Sequence, residues 1–312
     1  GSEMCMRHSL ILCAVAIVLF TTPVQACTSA VVSGKVTPDG RSLLWKNRDT
    51  DFMRNHVDYV KGEKYDFIAV VNSVNAYLKE AWMGTNSAGF ALMNTQSYNL
   101  VDVKGDEERG AANGRVIYRA LEVCATVEDF CHFLDTISKP SDIEANFGVI
   151  DAQGGAAMFE VDYHKYVMYD ANNPKDAPYG YIARTNFSFA GKVNEGAGYV
   201  RYMEADQVLM KASATGSITP QFIFNDLSRS FRNRMLDIDL RSGAYNRPQA
   251  SGWFVDQDFI PRSSTSCSVV VQGVKPGEKA ELTTMWTLLG YPPTGIACLL
   301  YTSDAADDRI SV

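Results

Sequence analysis

The stretch Val24-Gln-Ala-Cys27-Thr-Ser-Ala-Val-Val-Ser33 joins a run of small residues to a strand-like run, with one cysteine at the joint. Upstream, residues 10–20 are eleven consecutive apolar positions, preceded by Arg7 and His8. A basic start, a short apolar run and small residues at its end have the form of a secretory signal peptide. The run is shorter than the roughly 20 residues that span a bilayer. We therefore expect residues 1–26 to be a leader removed by signal peptidase and the protein to be exported, to the periplasm or the extracellular space. Gly1-Ser2-Glu3, ahead of Met4 and Met6, reads as a cloning or reading-frame remnant.

Cleavage after Ala26 would make Cys27 the first residue, carrying a thiol and a free α-amine on one Cα. An α-amine titrates near 7.7–8.0 and a thiol near 8.5, so the amine is able to serve as base near neutrality. Such a nucleophile needs no histidine, and the chain has only four. Two other readings stay open. The leader is cut elsewhere and Cys27 is a buried strand residue, or Val24-Gln-Ala-Cys27 is a loose lipobox and the product is a membrane-tethered lipoprotein with a binding role. Gln25 fits a lipobox poorly, and a strand follows Cys27 at once where a lipoprotein usually carries a flexible spacer.

Composition narrows the rest. The 312 residues carry 29 Lys and Arg against 36 Asp and Glu, a net charge of −7, with 46% hydrophobic and 21% charged residues. That is ordinary globular composition, and an acidic chain without a basic run is not expected to grip nucleic acid. Four histidines and seven cysteines, scattered, make no zinc framework, so we expect neither metal nor cofactor. Oligomeric state is not readable.

Downstream, Thr28–Ser33 and Arg41–Lys46 flank the turn Thr37-Pro-Asp-Gly40 and predict a hairpin. Further strands are expected at His56–Lys61, Tyr65–Asn72, Glu80–Met83 and Phe90–Met93, the last after an Asn86-Ser-Ala-Gly89 turn. Apolar spacing predicts a helix over Asn113–Val123, and Thr126-Val-Glu-Asp129 resembles a capping box opening a second helix towards Ile137. Strands at Phe147–Asp151, Ala156–Asp162, Tyr166–Tyr169 and Tyr181–Thr185 follow, then helices at Tyr199–Ala212 and Thr219–Ser230. Strands at Ser268–Gln272 and Leu282–Leu288 complete one α+β domain over residues 27–297. Residues 298–312 resemble the in-frame translation of a sequencing adapter, which implies a non-native tail on a C-terminally truncated domain.

Four motifs occur in order: Cys27-Thr-Ser-Ala, Trp45-Lys-Asn-Arg-Asp-Thr50, Gly89-Phe-Ala-Leu-Met-Asn94 and Arg184-Thr-Asn-Phe187. Together they resemble the N-terminal-nucleophile hydrolases, in the choloylglycine hydrolase and penicillin acylase branch and the related acyl-coenzyme A:6-aminopenicillanic acid acyltransferase branch. The resemblance implies a four-layer α-β-β-α sandwich. It implies a small-molecule N-acyl amide substrate, cleaved through a thioester on Cys27, with hydrolysis and acyl transfer both open. It further implies that Asp49 hydrogen-bonds the α-amine, that Asn94 and Asn186 supply oxyanion donors, and that Arg201 lies near the thiol. The bile-salt branch has arginine three positions before the aspartate, where this chain has Lys46. Arg48 is the other candidate for that charge and for substrate binding. Strand alternation sets Arg48 on the face opposite Asp49, and the choice between Lys46 and Arg48 is left open.

Overall fold

The computed structural model describes residues 26–74, 76–101, 110–243 and 258–302. The leader reading and most of the tail reading fall outside them.

The chain opens with β1 (Cys27–Val32) and β2 (Leu43–Asp49), the expected hairpin, then β3 (Asn55–Val60), β4 (Phe67–Asn72), β5 (Met83–Asn86) and β6 (Ala91–Gln96). Helices α1 (Asn113–Val123) and α2 (Val127–Thr136) precede β7 (Ala145–Ile150), β8 (Ala156–Val161), β9 (Tyr166–Asp170) and β10 (Tyr181–Arg184). Next come α3 (Tyr199–Ala214), the short α4 (Pro220–Phe222), and a small ladder of β11 (Arg232–Asn233) and β12 (Ile238–Asp239). The described chain closes with β13 (Thr265–Gln272), β14 (Thr284–Leu289) and β15 (Cys298–Tyr301).

Two large antiparallel sheets result. One runs β10-β1-β2-β13-β14-β15 and the other runs β3 to β9 in chain order. Buried side chains divide into three clusters that define the layers. Phe67, Leu92, Phe147 and Phe159 of the second sheet pack with Ile117 and Leu121 of α1 and Phe130 and Leu134 of α2. Val31, Leu44, Cys267 and Val269 meet Ile68, Val70, Met93 and Met158 between the sheets. Ala30, Val32, Leu43 and Trp45 face Ala205 and Leu209 of α3. The order is α-β-β-α, the sandwich expected above.

Local chemistry explains the ends of several elements. Thr126 and Asp129 cap α2 reciprocally, as the motif predicts, leaving two fewer unpaired amides in its first turn. The strand expected at Glu80–Met83 lies further on, at β5, because Met83 to Asn86 pair with β4. Glu80 and Trp82 are thereby left on the approach to the strand. The helix expected over Thr219–Ser230 is α4 followed by a π-turn over Ile223–Leu227. Asn47 Nδ2 donates to the Ser228 carbonyl at 2.9 Å, so a β2 side chain meets the end of this wider turn. Cys298–Tyr301, within the stretch read as non-native, pairs with β14.

Side-chain parity in β1 and β2 positions the site. Successive residues alternate between faces, so Leu44, Lys46 and Arg48 enter the inter-sheet layer while Leu43 and Trp45 face α3. On β1, Val31 faces inward between the sheets, and two-residue steps lead back to Cys27. Cys27, Arg48 and Cys267 are register partners in a row across β1, β2 and β13.

Candidate active site

A pocket of about 510 Å³ opens at the Cys27 end of the inter-sheet layer, lined among others by Cys27, Lys46, Arg48, Asp49, Trp82 and Asn94. Both Lys46 and Arg48 line it, so the two are not alternatives. Asp49 lines it as well, although it follows Arg48 on the strand. The register between β2 and β13 shifts between Thr265 and Cys267, opposite Arg48 and Asp49. An irregularity of this kind bends the end of a strand and re-aims its side chains.

Cys27 is held by its main chain. Its N–H donates to Asn186 Oδ1 at 2.9 Å, and Arg201 Nη1 donates to its carbonyl, at 2.5 Å. Arg201 is 1% exposed and also donates to Thr28 Oγ1 at 3.0 Å, Asn186 Oδ1 at 2.9 Å and Asp258 Oδ1 at 2.8 Å. The thiol lies 3.9 Å from the Asp49 carbonyl oxygen. Arg201, which the resemblance placed near the thiol, grips the main chain of Cys27. The α3 cap explains its place: Gly198 is left-handed at φ +84°, and a Cβ there would fall 2.4 Å from Arg201 Nη2.

The resemblance implies an Asp49 hydrogen bond to the α-amine that cleavage would free; in the uncut chain the single Cys27 N–H donates to Asn186 Oδ1. Asp49 Oδ1 accepts from Thr265 Oγ1 at 2.5 Å, and Oδ2 is buried without a partner. Burial, only partly offset by the Arg201 charge and the Thr265 hydroxyl, pushes the Asp49 carboxyl up to about 7. Asn186 was expected to present donors. Instead its acceptor end faces Cys27 and Arg201, both of which only donate there, and Nδ2 donates to the Gln96 carbonyl at 2.8 Å.

Asn94 is oriented the other way. Lys46 Nζ donates to Asn94 Oδ1 at 3.0 Å and to the Trp82 carbonyl at 3.1 Å. An ammonium has no acceptor, so the oxygen end of Asn94 is committed to it. Burial lowers the Lys46 pKa; the Cys27 thiol opposes that shift and the Arg48 charge adds to it. Arg48 donates to Asn55 Oδ1 and, at 2.8 Å, to Asn72 Oδ1, with its guanidinium 4.6 Å from the centroid of the Trp82 ring. Asn55 and Asn72 are register partners on β3 and β4, which is why they meet one guanidinium together.

The Asn186 segment is clamped from the second sheet. Glu160 accepts from Arg184 Nε at 2.6 Å and from the amides of Phe189 at 2.8 Å and Ala190 at 2.6 Å. Asn146 Nδ2 donates to the carbonyls of Thr185 and Phe187, both at 3.2 Å. Sequence reading did not find Trp82, Asn55, Asn72, Thr265 or Glu160, since each acts through a partner distant in the chain. Of the aromatics near the motifs, Tyr98 lines the pocket. Phe187 instead stacks on Phe189 and Tyr199, and Tyr202 meets Phe187 and Phe189 edge-on. Among the described residues, no group of three or more His, Cys, Asp or Glu is arranged to hold a metal ion.

The acyl-coenzyme A:6-aminopenicillanic acid acyl-transferase family matches residues 36–213, more than half of the chain. The chain belongs to that family. The matched span holds Lys46, Arg48, Asp49, Asn94, Asn186 and Arg201, and begins after Cys27. No curated protein matches the chain by sequence. Among solved structures, two variants of a conjugated bile acid hydrolase from Clostridium perfringens superpose with a TM-score of 0.51 at 13% and 12% identity. Each alignment covers 89% of this chain and 93% of the other. A penicillin V acylase from Agrobacterium tumefaciens gives 0.46 at 15% identity, over 89% and 86% of the two chains. Family and fold agree with the motif order: the chain is an enzyme of the N-terminal-nucleophile hydrolase superfamily.

Proposed function

We propose that the protein is an exported cysteine hydrolase or acyltransferase that cleaves a linear amide of a small N-acyl substrate through a thioester on Cys27. The matched family is named for acyl transfer to 6-aminopenicillanic acid, and a solved structure of similar fold is a conjugated bile acid hydrolase; both support this reading. The observation that carries the reading is the grip on Cys27. Asn186 and Arg201 fix its main chain on either side of the Cα, and its thiol borders the pocket.

In this reading, removal of residues 1–26 frees the α-amine, which takes the thiol proton as Sγ attacks the amide carbon. Asn94 Nδ2, its oxygen end already committed to Lys46, donates to the oxyanion. Collapse breaks the C–N bond, and the α-ammonium gives its proton to the departing amine. Water or a second amine then gives a proton to the α-amine as it attacks the thioester carbon, the C–S bond breaks, and the proton returns to the departing Cys27 sulfur. Asp49 stands beside this proton traffic as a buried carboxyl that gains a countercharge once the amine is protonated. Preorganised donors of this kind contribute most where charge develops in the transition state.

Intact mass and N-terminal sequencing of the exported protein test the first step, with an unmodified Cys27 at position one expected. A lipidated Cys27, or a start elsewhere, removes the nucleophile. Cys27→Ala and Cys27→Ser proteins, correctly cut, are expected to lose N-acyl amide cleavage, and undiminished rates would refute the thioester route.

A further inference from the structure

Among the described residues, the direct partners of the buried cations Lys46 and Arg48 are all neutral. Lys46 bonds a carbonyl and an asparagine oxygen, and Arg48 bonds two asparagine oxygens and rests on an indole face. Among the described residues, no carboxylate is paired directly with either. Asp49 and Glu80 attract Arg48 from longer range, and Glu80 also lies 3.6 Å from Arg115 at the pocket wall. Buried charges are normally paired, because an unpaired one carries a large desolvation cost. Here two like charges share one layer and one pocket.

The pocket also holds the nucleophile, and Cys27 and Arg48 are direct register partners. The Asn55 and Asn72 pair and the Trp82 ring hold the guanidinium in one orientation before anything binds. Its water has been removed during folding, so an incoming anion meets a charge that needs no reorganisation. A carboxylate matches the planar fork of arginine better than it matches a point charge.

We propose that Arg48, supported by Lys46, is a specificity determinant that receives a substrate carboxylate. The amides cleaved would then carry a carboxylate within a few bonds of the scissile C–N bond. This rests on the reading of Cys27 as nucleophile. The carboxylate sits on the amine half, as in an N-acyl amino acid, or on the acyl half, as in a half-amide of a dicarboxylic acid.

Two matched substrate pairs distinguish these sources: N-octanoylglycine against N-octanoylglycinamide, and the succinyl half-amide of octylamine against its butyryl amide. In one pair the anionic member is expected to have a kcat/KM higher by about tenfold or more, and that pair identifies the half. Arg48→Gln is expected to bring the ratio towards one. Should that variant not fold, Asn72→Ala, which frees one arm of the guanidinium, must lower the ratio. Calorimetry on Cys27→Ala protein with the glycine pair and the succinyl pair reads recognition without turnover. Cys27-dependent cleavage with equal rates within both pairs overturns the carboxylate site and leaves the nucleophile reading intact. Selective binding of the anionic member without cleavage does the reverse, and neither cleavage nor selective binding overturns both.

Discussion

Lys46 Nζ lies 3.0 Å from Asn94 Oδ1, and because an ammonium only donates, this contact fixes which end of the Asn94 amide is left for the pocket. A lysine on the first sheet thereby orients a donor on the second. Asn94→Ala is expected to lower kcat by roughly 10²- to 10³-fold with little change in KM, the pattern of a donor used in the transition state. Lys46→Met should lower kcat in the same direction by releasing the amide. Steady-state kinetics on an N-acyl amide decides, and an unchanged kcat for Asn94→Ala would remove it from the reaction.

Arg201 joins α3 to the start of β1 through four acceptors on Cys27, Thr28, Asn186 and Asp258. Arg201→Met leaves several of them unpaired in a buried position and should cost about 3 kcal/mol of unfolding free energy. Activity should fall further than stability accounts for, since Cys27 and Asn186 both lose a contact. Urea titration alongside kinetics checks both; a variant as stable and active as wild type would show the contacts to be incidental.

Gly198 tests the same hub from its backbone. Alanine there must adopt φ +84° and place a Cβ 2.4 Å from Arg201 Nη2 and 2.8 Å from Thr185 Oγ1. We expect Gly198→Ala to be destabilised by about 1–3 kcal/mol and to lose activity with it. Gly216, also left-handed but with open space at its Cβ, is the control. Gly216→Ala should show the backbone cost without the loss of activity.

Burial raises the Asp49 carboxyl to about 7 in the folded protein, against an unfolded value near 3.9. Between these values the folded state holds the proton more tightly, so Asp49 favours folding at low pH. That contribution declines as pH rises from about 4 to about 7 and is level beyond. The stability of wild type relative to Asp49→Asn should therefore fall across that window. A difference that stays level across that window and is lost only below about pH 4 would mean that Asp49 is ionised and paired when folded.

Local signals in the chain reach a definite distance into this fold. The Thr126 capping box, the Asn86–Gly89 turn and the β1–β2 hairpin are decided by neighbouring residues, and the structure places all three where the sequence does. Elements whose ends depend on distant partners moved. The strand near Glu80 shifted to meet β4, and the Thr219 helix widened into a π-turn beside Asn47.

What the sequence alone determined is the order of the motifs that begins at Cys27, and through it a family and a four-layer sandwich. Composition and period-2 patterning are properties of the chain itself, so they are readable without coordinates. Only the tertiary structure decided that Lys46 and Arg48 share one pocket, and that Asn186 turns its oxygen rather than its amide hydrogens towards Cys27. It alone placed Arg201 at the junction of Cys27 and Asn186. The reason is physical: which end of an amide faces a neighbour, and whether a buried charge finds a partner, depend on groups brought together from strands and helices far apart in sequence.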